Sequence, residues 1–442
     1  MRALTISLVL GIAGLAQAAE VTPPAAPVAP TSVEPAPEVA PELAPAEAPK
    51  VPKAPMIDPL PETAEAPPTP VVTKSASTNA AVKVKMGKGV TLTGDDLELT
   101  IRAMFQPRQT VEDLHGSEDP NTTFAARRMR LVLQGHALID KLRYQIQLGF
   151  SGQDSETDNR SPLLDAYVSF EKVRDLSVRA GQMKVPFDRA RVTSSSALEL
   201  VDRAGVVSEL NLDRDVGVYA FSKDLFGLGN KLGYAVGVFG GDGRNRQLES
   251  YGMLYVARLD FTPMGKFDDY VEGDLERHST PMLGFGVAAA FNQHTNRPRS
   301  TTGTPFAAAR FDYFSAEADA VFKFKGFALL GEVLYRQADE DSKTTTVDGE
   351  MVTETSRSAW GYYAEPSMMI TDKLQAVARY GELRPLDGNM DTKLVKLHEG
   401  TAGLNYYFAA HNLKLQGDYT ETWGDELADS DHRARVQMQL YF

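Results

Sequence analysis

Apolar and polar residues alternate at period two over most of the chain from about residue 91 onward. In Lys141 to Phe150 the even positions are Leu142, Tyr144, Ile146, Leu148 and Phe150, while the odd ones are Lys141, Arg143, Gln145, Gln147 and Gly149. Leu97 to Gln106, Leu413 to Thr420 and Ala434 to Phe442 split in the same way. Successive side chains on a strand point to opposite faces, so each segment reads as a strand with one apolar face. Sixteen strands are predicted, near 97–106, 123–137, 141–150, 163–170, 176–186, 214–221, 231–239, 251–261, 282–292, 310–324, 327–337, 358–370, 373–383, 394–408, 411–421 and 432–442. Alternation alone also fits a soluble sandwich. Length separates the two: many of these strands reach about ten residues, enough for a tilted strand to cross a bilayer, whereas soluble strands average about five or six.

The connections sharpen this picture. Short ones at 139–140, 171–175, 325–326, 371–372 and 409–410 alternate with long polar ones, including 107–121, 151–162, 293–309, 338–357, 384–393 and 422–431. Short periplasmic turns opposite long extracellular loops are expected of an even-stranded outer-membrane barrel. The connection 262–281 is long where a short turn is due. The connection 187–213 carries Leu198, Leu200, Val201, Val206, Val207 and Leu210, too apolar for a solvated loop, and is expected to fold into the barrel as a constriction. Within it Ser196-Ala-Leu-Glu199 reads as a capping box opening a short helix. Free N–H groups at that helix start, beside the hydroxyls of Ser194 and Ser195, would cradle an anion; an ordinary capped helix is the plainer alternative. The predicted fold is all-β: a sixteen-stranded antiparallel transmembrane barrel over 91–442 acting as a diffusion pore in the bacterial outer membrane.

Composition changes the picture upstream. Met1-Arg2, the apolar run Ala3 to Leu15 and the site Ala16-Gln17-Ala18 have the three regions of a cleavable secretory signal over 1–18. Residues 21–70 hold 16 of the 26 prolines, mixed with alanine, so 19–90 reads as a disordered Pro/Ala-rich periplasmic tether. It is either a spacer reaching the cell wall or a partner, or a tail with no fixed partner. With no cysteine, the chain has neither disulfides nor a lipid-attachment site.

Several runs resemble one family, the phosphate-selective porins O and P. They are Gly89-Val-Thr-Leu-Thr-Gly-Asp-Asp96, Phe124-Ala-Ala-Arg-Arg-Met-Arg-Leu131, Asp165-Ala-Tyr-Val168, Gly181-Gln-Met-Lys-Val-Pro-Phe187, Thr193-Ser-Ser-Ser-Ala197 with Val201-Asp-Arg203, Asp215-Val-Gly-Val218, Thr262-Pro-Met-Gly265 and Thr401-Ala-Gly-Leu-Asn-Tyr-Tyr407. The Gly-Gln-x-Lys-x-Pro-Phe run followed by a serine-rich loop is the most specific of them. The resemblance implies a sixteen-stranded barrel, usually a homotrimer, with a long periplasmic turn like 262–281. It also implies an inward loop that narrows the pore and offers serines to an anion, phosphate or polyphosphate among them. Carried over position by position, it marks Arg127, Arg128, Lys184, Ser194 and Ser195; Arg130 and Arg203 stand beside these motifs.

Charge bears on selectivity. By alternation the lumen face carries Arg102, Arg128, Arg130, Lys141, Arg143, Arg179, Arg258, Arg379, Lys414 and Arg435 against Glu98, Asp165, Asp260, Glu317, Asp319, Glu332 and Asp418. Rings of arginine and lysine favour anions, and arginine grips phosphate through paired bonds, although mixed charges also serve simply to keep a lumen wet. Two features pull the other way. The loop 187–213 has three arginines against five carboxylates, and the whole chain has a formal net charge of −13. Strict alternation also points Arg127 at lipid unless it lies at the rim or a bulge turns it inward, since a charge facing lipid at the midplane costs about 2 to 4 kcal/mol. A weakly selective or cation-preferring pore, or a structural protein tethered to the wall, therefore stays open. The partners expected are small ions, outer-membrane lipid and lipopolysaccharide, with no nucleic acid. His-Glu-x-x-His, Gly-x-Ser-x-Gly and phosphate-binding glycine motifs are absent and the seven histidines are scattered, so no enzyme and no cofactor is expected.

Overall fold

The computed structural model describes residues 81–442 except 86, 157–159 and 247–251. The expected signal segment 1–18, nearly all of the tether 19–90 and the side chain of Lys141 lie outside the described residues. The first described elements are two short strands, β1 (Ala81–Lys85) and β2 (Gly89–Thr93), paired as a hairpin. Regular strand structure thus begins inside the stretch assigned to the tether, because Ala81-Val-Lys-Val-Lys85 already alternates at period two.

Sixteen strands close the wall. They are β3 (Leu97–Asp113), β4 (Asn121–Ala137), β5 (Ile139–Gly149), β6 (Leu163–Val173), β7 (Leu176–Lys184), β8 (Arg214–Ser222), β9 (Leu232–Phe239) and β10 (Leu254–Phe261), then β11 (Met282–Thr295), β12 (Phe311–Phe324) and β13 (Phe327–Ala338). Two further strands, β14 (Ser342–Val347) and β15 (Glu350–Thr355), form a separate hairpin within a connection expected to be irregular. The wall resumes with β16 (Ala359–Met369), β17 (Leu374–Pro385), β18 (Leu397–Ala409), β19 (Leu413–Trp423) and β20 (Asp431–Tyr441). Neighbours are antiparallel throughout, and β20 pairs with β3, Ala434 opposite Val111, to close the ring. Below that seam β2 takes over the same edge of β3, Thr91 opposite Thr100.

Burial is inverted relative to a soluble fold. On β12 Ser315, Glu317 and Asp319 are buried while Phe314, of opposite parity, is 47% exposed; Val236, Leu259, Val333 and Leu404 likewise face outward. An apolar exterior around a polar interior is what lipid outside and water inside require. The Lys325-Gly326 turn has positive φ at both residues, 51° and 88°, as a primed two-residue hairpin demands.

The strand expected near 97–106 runs on through Pro107 to Asp113, into the stretch expected as the connection 107–121. The register shifts at Gln106/Pro107 so that Arg128 and Ala126 flank a bulged Arg127. Proline lacks the N–H that a ladder needs, so a bulge is where a strand tolerates it.

The chain between β7 and β8 enters the barrel, as expected for 187–213. Its Phe187, Val207, Leu210 and Leu212 are fully buried, in one apolar cluster with Val321, Leu330, Leu334, Tyr363 and Leu383 of the wall. Burying such a side chain contributes about 1.5 to 3 kcal/mol, against about 1 to 2 kcal/mol lost in fixing each backbone residue, so anchors must recur along the loop. The helices differ from expectation. They are α1 (Arg189–Val192), capped by the Asp188 carboxylate on the Arg191 N–H, and α2 (Gly205–Leu210). Ser196 to Glu199 forms turns, not a helix start: the Glu199 side chain is drawn to Gln375 of the wall, and the Glu199 N–H donates to Glu272 (2.6 Å). The long 262–281 connection rises from the short-turn end to meet the loop, with Asp269 on Arg189 (2.7 Å) and the Glu272 N–H on the Ala197 carbonyl (3.2 Å).

Candidate functional site: the pore lining

The inward loop packs on β12 to β17, so open space remains on the other side, along β3 to β8. Three adjoining cavities run there from the long-loop end to the short-turn end. The outer one, about 100 Å³, shares Arg130, Lys184, Ser195 and Arg214 with the middle one, about 310 Å³. The middle one shares Arg179, Pro186, Val192 and Tyr219 with the inner one, about 420 Å³.

Charge falls along this path. The outer cavity has eight cations, Arg127, Arg128, Arg130, Lys184, Arg191, Arg203, Arg214 and Arg244, against Asp154 and Asp213. In the middle one Arg102, Arg130, Arg179, Lys184 and Arg214 face Asp165 alone. The inner one is nearly balanced, with four cations and three carboxylates.

The loop's carboxylates offset only part of this surplus. Asp202 is shared by Arg108 (2.5 Å), Arg128 (3.2 Å), Arg127 (3.3 Å) and Arg435 (3.3 Å). Burial alone would raise its pKa, but Arg127, Arg128, Arg435 and Arg108 outweigh burial and hold it well below the usual carboxylate range. Asp213 is pulled down likewise by Arg191 and Arg214. Glu209 is held by Arg336 (2.6 Å) away from the open path. Burial and repulsion from Arg191 push the Arg203 guanidinium down to about 10, so it stays charged at neutral pH.

Backbone geometry delivers these groups. The bulge turns Arg127 inward beside Arg128, which answers the alternation problem. Gly181 sits at φ 128°, where a Cβ would run into the Ala166 carbonyl, and three residues on Lys184 donates to the carbonyls of Val192 (3.1 Å) and Thr193 (3.0 Å). Arg203 binds the carbonyls of Ala190 and Thr193, both at 2.6 Å, and so staples α1 to the loop. Arg130 donates to Ser195 (3.1 Å) and pairs with Asp154. Ser194 and Ser196 hydroxyls lie 2.8 Å apart.

All seven sequence-derived residues line this path: Arg127, Arg128, Arg130, Lys184, Ser195 and Arg203 the outer cavity, and Ser194 the middle one. Missing from that set were Asp202, Arg191, Arg214 and Arg244. Arg191 and Asp202 were visible only as loop charges, and Arg214 shares the parity of the lipid-facing Val216 and Val218, so alternation hid it.

Solved structures with this architecture include OmpF of Salmonella typhi, 13% identical, covering 78% of this chain and 98% of that one, TM-score 0.53. The outer membrane channel DcaP of Acinetobacter baumannii is also 13% identical, covering 78% of this chain and 97% of that one, TM-score 0.50. An uncharacterized protein of Aquifex aeolicus (strain VF5) is 23% identical over 299 residues, 63% of this chain and 67% of that protein. The family profile described as phosphate-selective porin O and P matches residues 102–442, nearly the whole barrel wall, and the chain belongs to that family.

Proposed function

We propose that this outer-membrane porin passes small oxyanions, phosphate among them, in preference to cations. One observation carries the reading: eight cationic side chains line the outer cavity against two carboxylates. A unit charge about 4 Å from an ion is worth about 1 kcal/mol in water and about 4 kcal/mol at an effective dielectric of 20, so a surplus of several charges biases entry strongly. Arg127, Arg128, Arg130, Lys184 and Arg203 supply the field, and Ser194 and Ser195 supply hydroxyl contacts where the outer and middle cavities meet. The homotrimer, the cleavable signal over 1–18, the wall-reaching tether and contact with lipopolysaccharide belong to the same proposal and rest on the sequence and the family. A second reading, a porin of weak selectivity, is favoured by the near balance of the inner cavity.

Planar-bilayer recording separates the two. Under a salt gradient the reversal potential takes the anion-selective sign, and inorganic phosphate at low concentration blocks chloride current. A cation-selective sign overturns the anion reading, and absence of phosphate block removes phosphate.

A further inference from the structure

Across the lumen from the open path, carboxyl groups crowd without enough positive charge to match. Glu199 of the inward loop, Glu272 of the 262–281 connection and Glu365 of β16 each bring one oxygen within 4.8 Å of the others, and all three side chains are buried. The positive charges nearby are committed elsewhere. Arg379 binds Glu365 (2.7 Å) but is shared with Glu399 (3.1 Å) and the Asp202 carbonyl (3.0 Å). Lys323 spends its ammonium on the carbonyls of Asp268 (2.7 Å) and Val271 (2.6 Å), and Lys414 on that of Leu198 (2.5 Å).

A second observation is independent of the carboxylate count. One oxygen of Glu365, a side chain 1% exposed, has no hydrogen-bond partner. The hydroxyl of Ser367, two residues along β16 on the same lumenal face and 3% exposed, is turned to the Glu199 carboxyl. Leaving a buried polar group unsatisfied costs about 1 to 3 kcal/mol. The donors are all oxygen, three carboxylates each with one oxygen already engaged and a hydroxyl, which suits a hard divalent cation. Calcium accepts irregular carboxylate geometry from separate chain segments, whereas magnesium demands a near-octahedral shell and keeps several waters.

We propose that Glu199, Glu272, Glu365 and the Ser367 hydroxyl hold a calcium ion that rivets the constriction loop to both the barrel wall and the 262–281 connection. The three carboxylates come from three segments, so one ion would join all of them at a single point, beside the Arg189 pairs with Asp269 and Asp319. The ion sits off the conducting path, so it sets the position of the constriction rather than its charge.

The test uses full-length protein in detergent, stripped with EGTA and titrated with calcium chloride at neutral pH, followed by calorimetry and by the thermal unfolding midpoint. The proposal expects a saturable site whose occupation raises the midpoint, with affinity reduced about tenfold or more in Glu272→Gln and less in Ser367→Ala. Should Glu272→Gln fail to assemble, Ser367→Ala decides, since it removes a single hydroxyl. Calcium binding that is absent, or equally tight in wild type and both variants because exposed loop carboxylates account for it, overturns the site. Carboxyls that instead share protons give that same absence of binding.

Discussion

Two walls of one barrel carry similar densities of charge and put them to different use. Along β10 to β20 nearly every lumenal cation faces a carboxylate: Arg258 with Glu317 (2.9 Å), Arg189 of the loop with Asp319 (2.5 Å), Arg379 with Glu365 (2.7 Å) and Arg435 with Asp418 (2.7 Å). The Arg189 pair joins loop to wall directly, and Arg258 and Arg379 also donate to the loop carbonyls of Phe187 (2.6 Å) and Asp202 (3.0 Å). Along β3 to β8 Arg130 with Asp154 and Arg214 with Asp165 (2.8 Å) are paired too, but cations outnumber carboxylates around open space. Net charge therefore says little about selectivity in such a protein. A chain with a formal charge of −13 lines its pore with arginine because its acids are spent on anchoring or lie in outer loops.

The comparison breaks most visibly at Arg189. Arg189→Met removes a guanidinium shared by Asp269 and the buried Asp319, leaving Asp319 to Arg258 (2.5 Å), and breaking a buried pair from one side costs up to about 3 to 5 kcal/mol. The expected result is a lowered thermal midpoint with larger, noisier single-channel conductance as the loop loosens. On the open wall, Arg128→Ala removes bonds to Asp202 (3.2 Å) and Gln106 (2.9 Å) but leaves Asp202 three other guanidiniums, so it should cost less stability than Arg189→Met while lowering the anion-to-cation permeability ratio several-fold, up to about tenfold, which corresponds to about 1.4 kcal/mol. An unchanged reversal potential would take Arg128 out of the path. As the matched control, Asp425→Asn in an exposed outer loop should shift neither stability beyond about 0.5 kcal/mol nor reversal potential, because solvent and salt screen it.

A smaller effect comes from pH. Burial, then the neighbouring carboxylates, raise Glu199 and Glu272 above the ordinary glutamate range. The native state therefore retains protons that the unfolded chain gives up as pH rises through that range, and metal-free protein should lose stability toward alkaline pH. Melting curves of EGTA-treated protein at successive pH values check the sign; a rise in stability with pH would contradict it.

Much of the architecture was legible because lipid outside and water inside impose period two on long strands, as in Lys141 to Phe150. The inward loop was legible because Leu198, Val206 and Leu210 had nowhere else to pack. What alternation could not show were departures from it. The bulge at Arg127 depends on pairing with Pro107, a tertiary fact. The extension of β3 runs past the same proline. The capping-box pattern at Ser196 failed because tertiary bonds to Gln375 and Glu272 claim the glutamate that a cap would use. Loop charge misled for a related reason: formal sums cannot tell a carboxylate facing ions from one such as Asp202, already shared by four guanidiniums.

The single extra residue at the β3–β4 bulge also fixes how this strand can vary. Below it, Met129 faces lipid and Arg128 faces the lumen; above it, the parity of β4 is offset by one and Phe124 faces outward. Substituting Arg127 changes one side chain. Deleting it would leave Arg128 opposite Gln106 and Ala126 opposite Pro107, so strict alternation returns and the outer half of the strand keeps its facing. Straightening the bulge with Arg127 still in the strand would instead reverse that half, carrying polar residues toward lipid and Phe124 toward water. The bulge and the second arginine therefore persist or vanish together, as a unit of length as well as of charge.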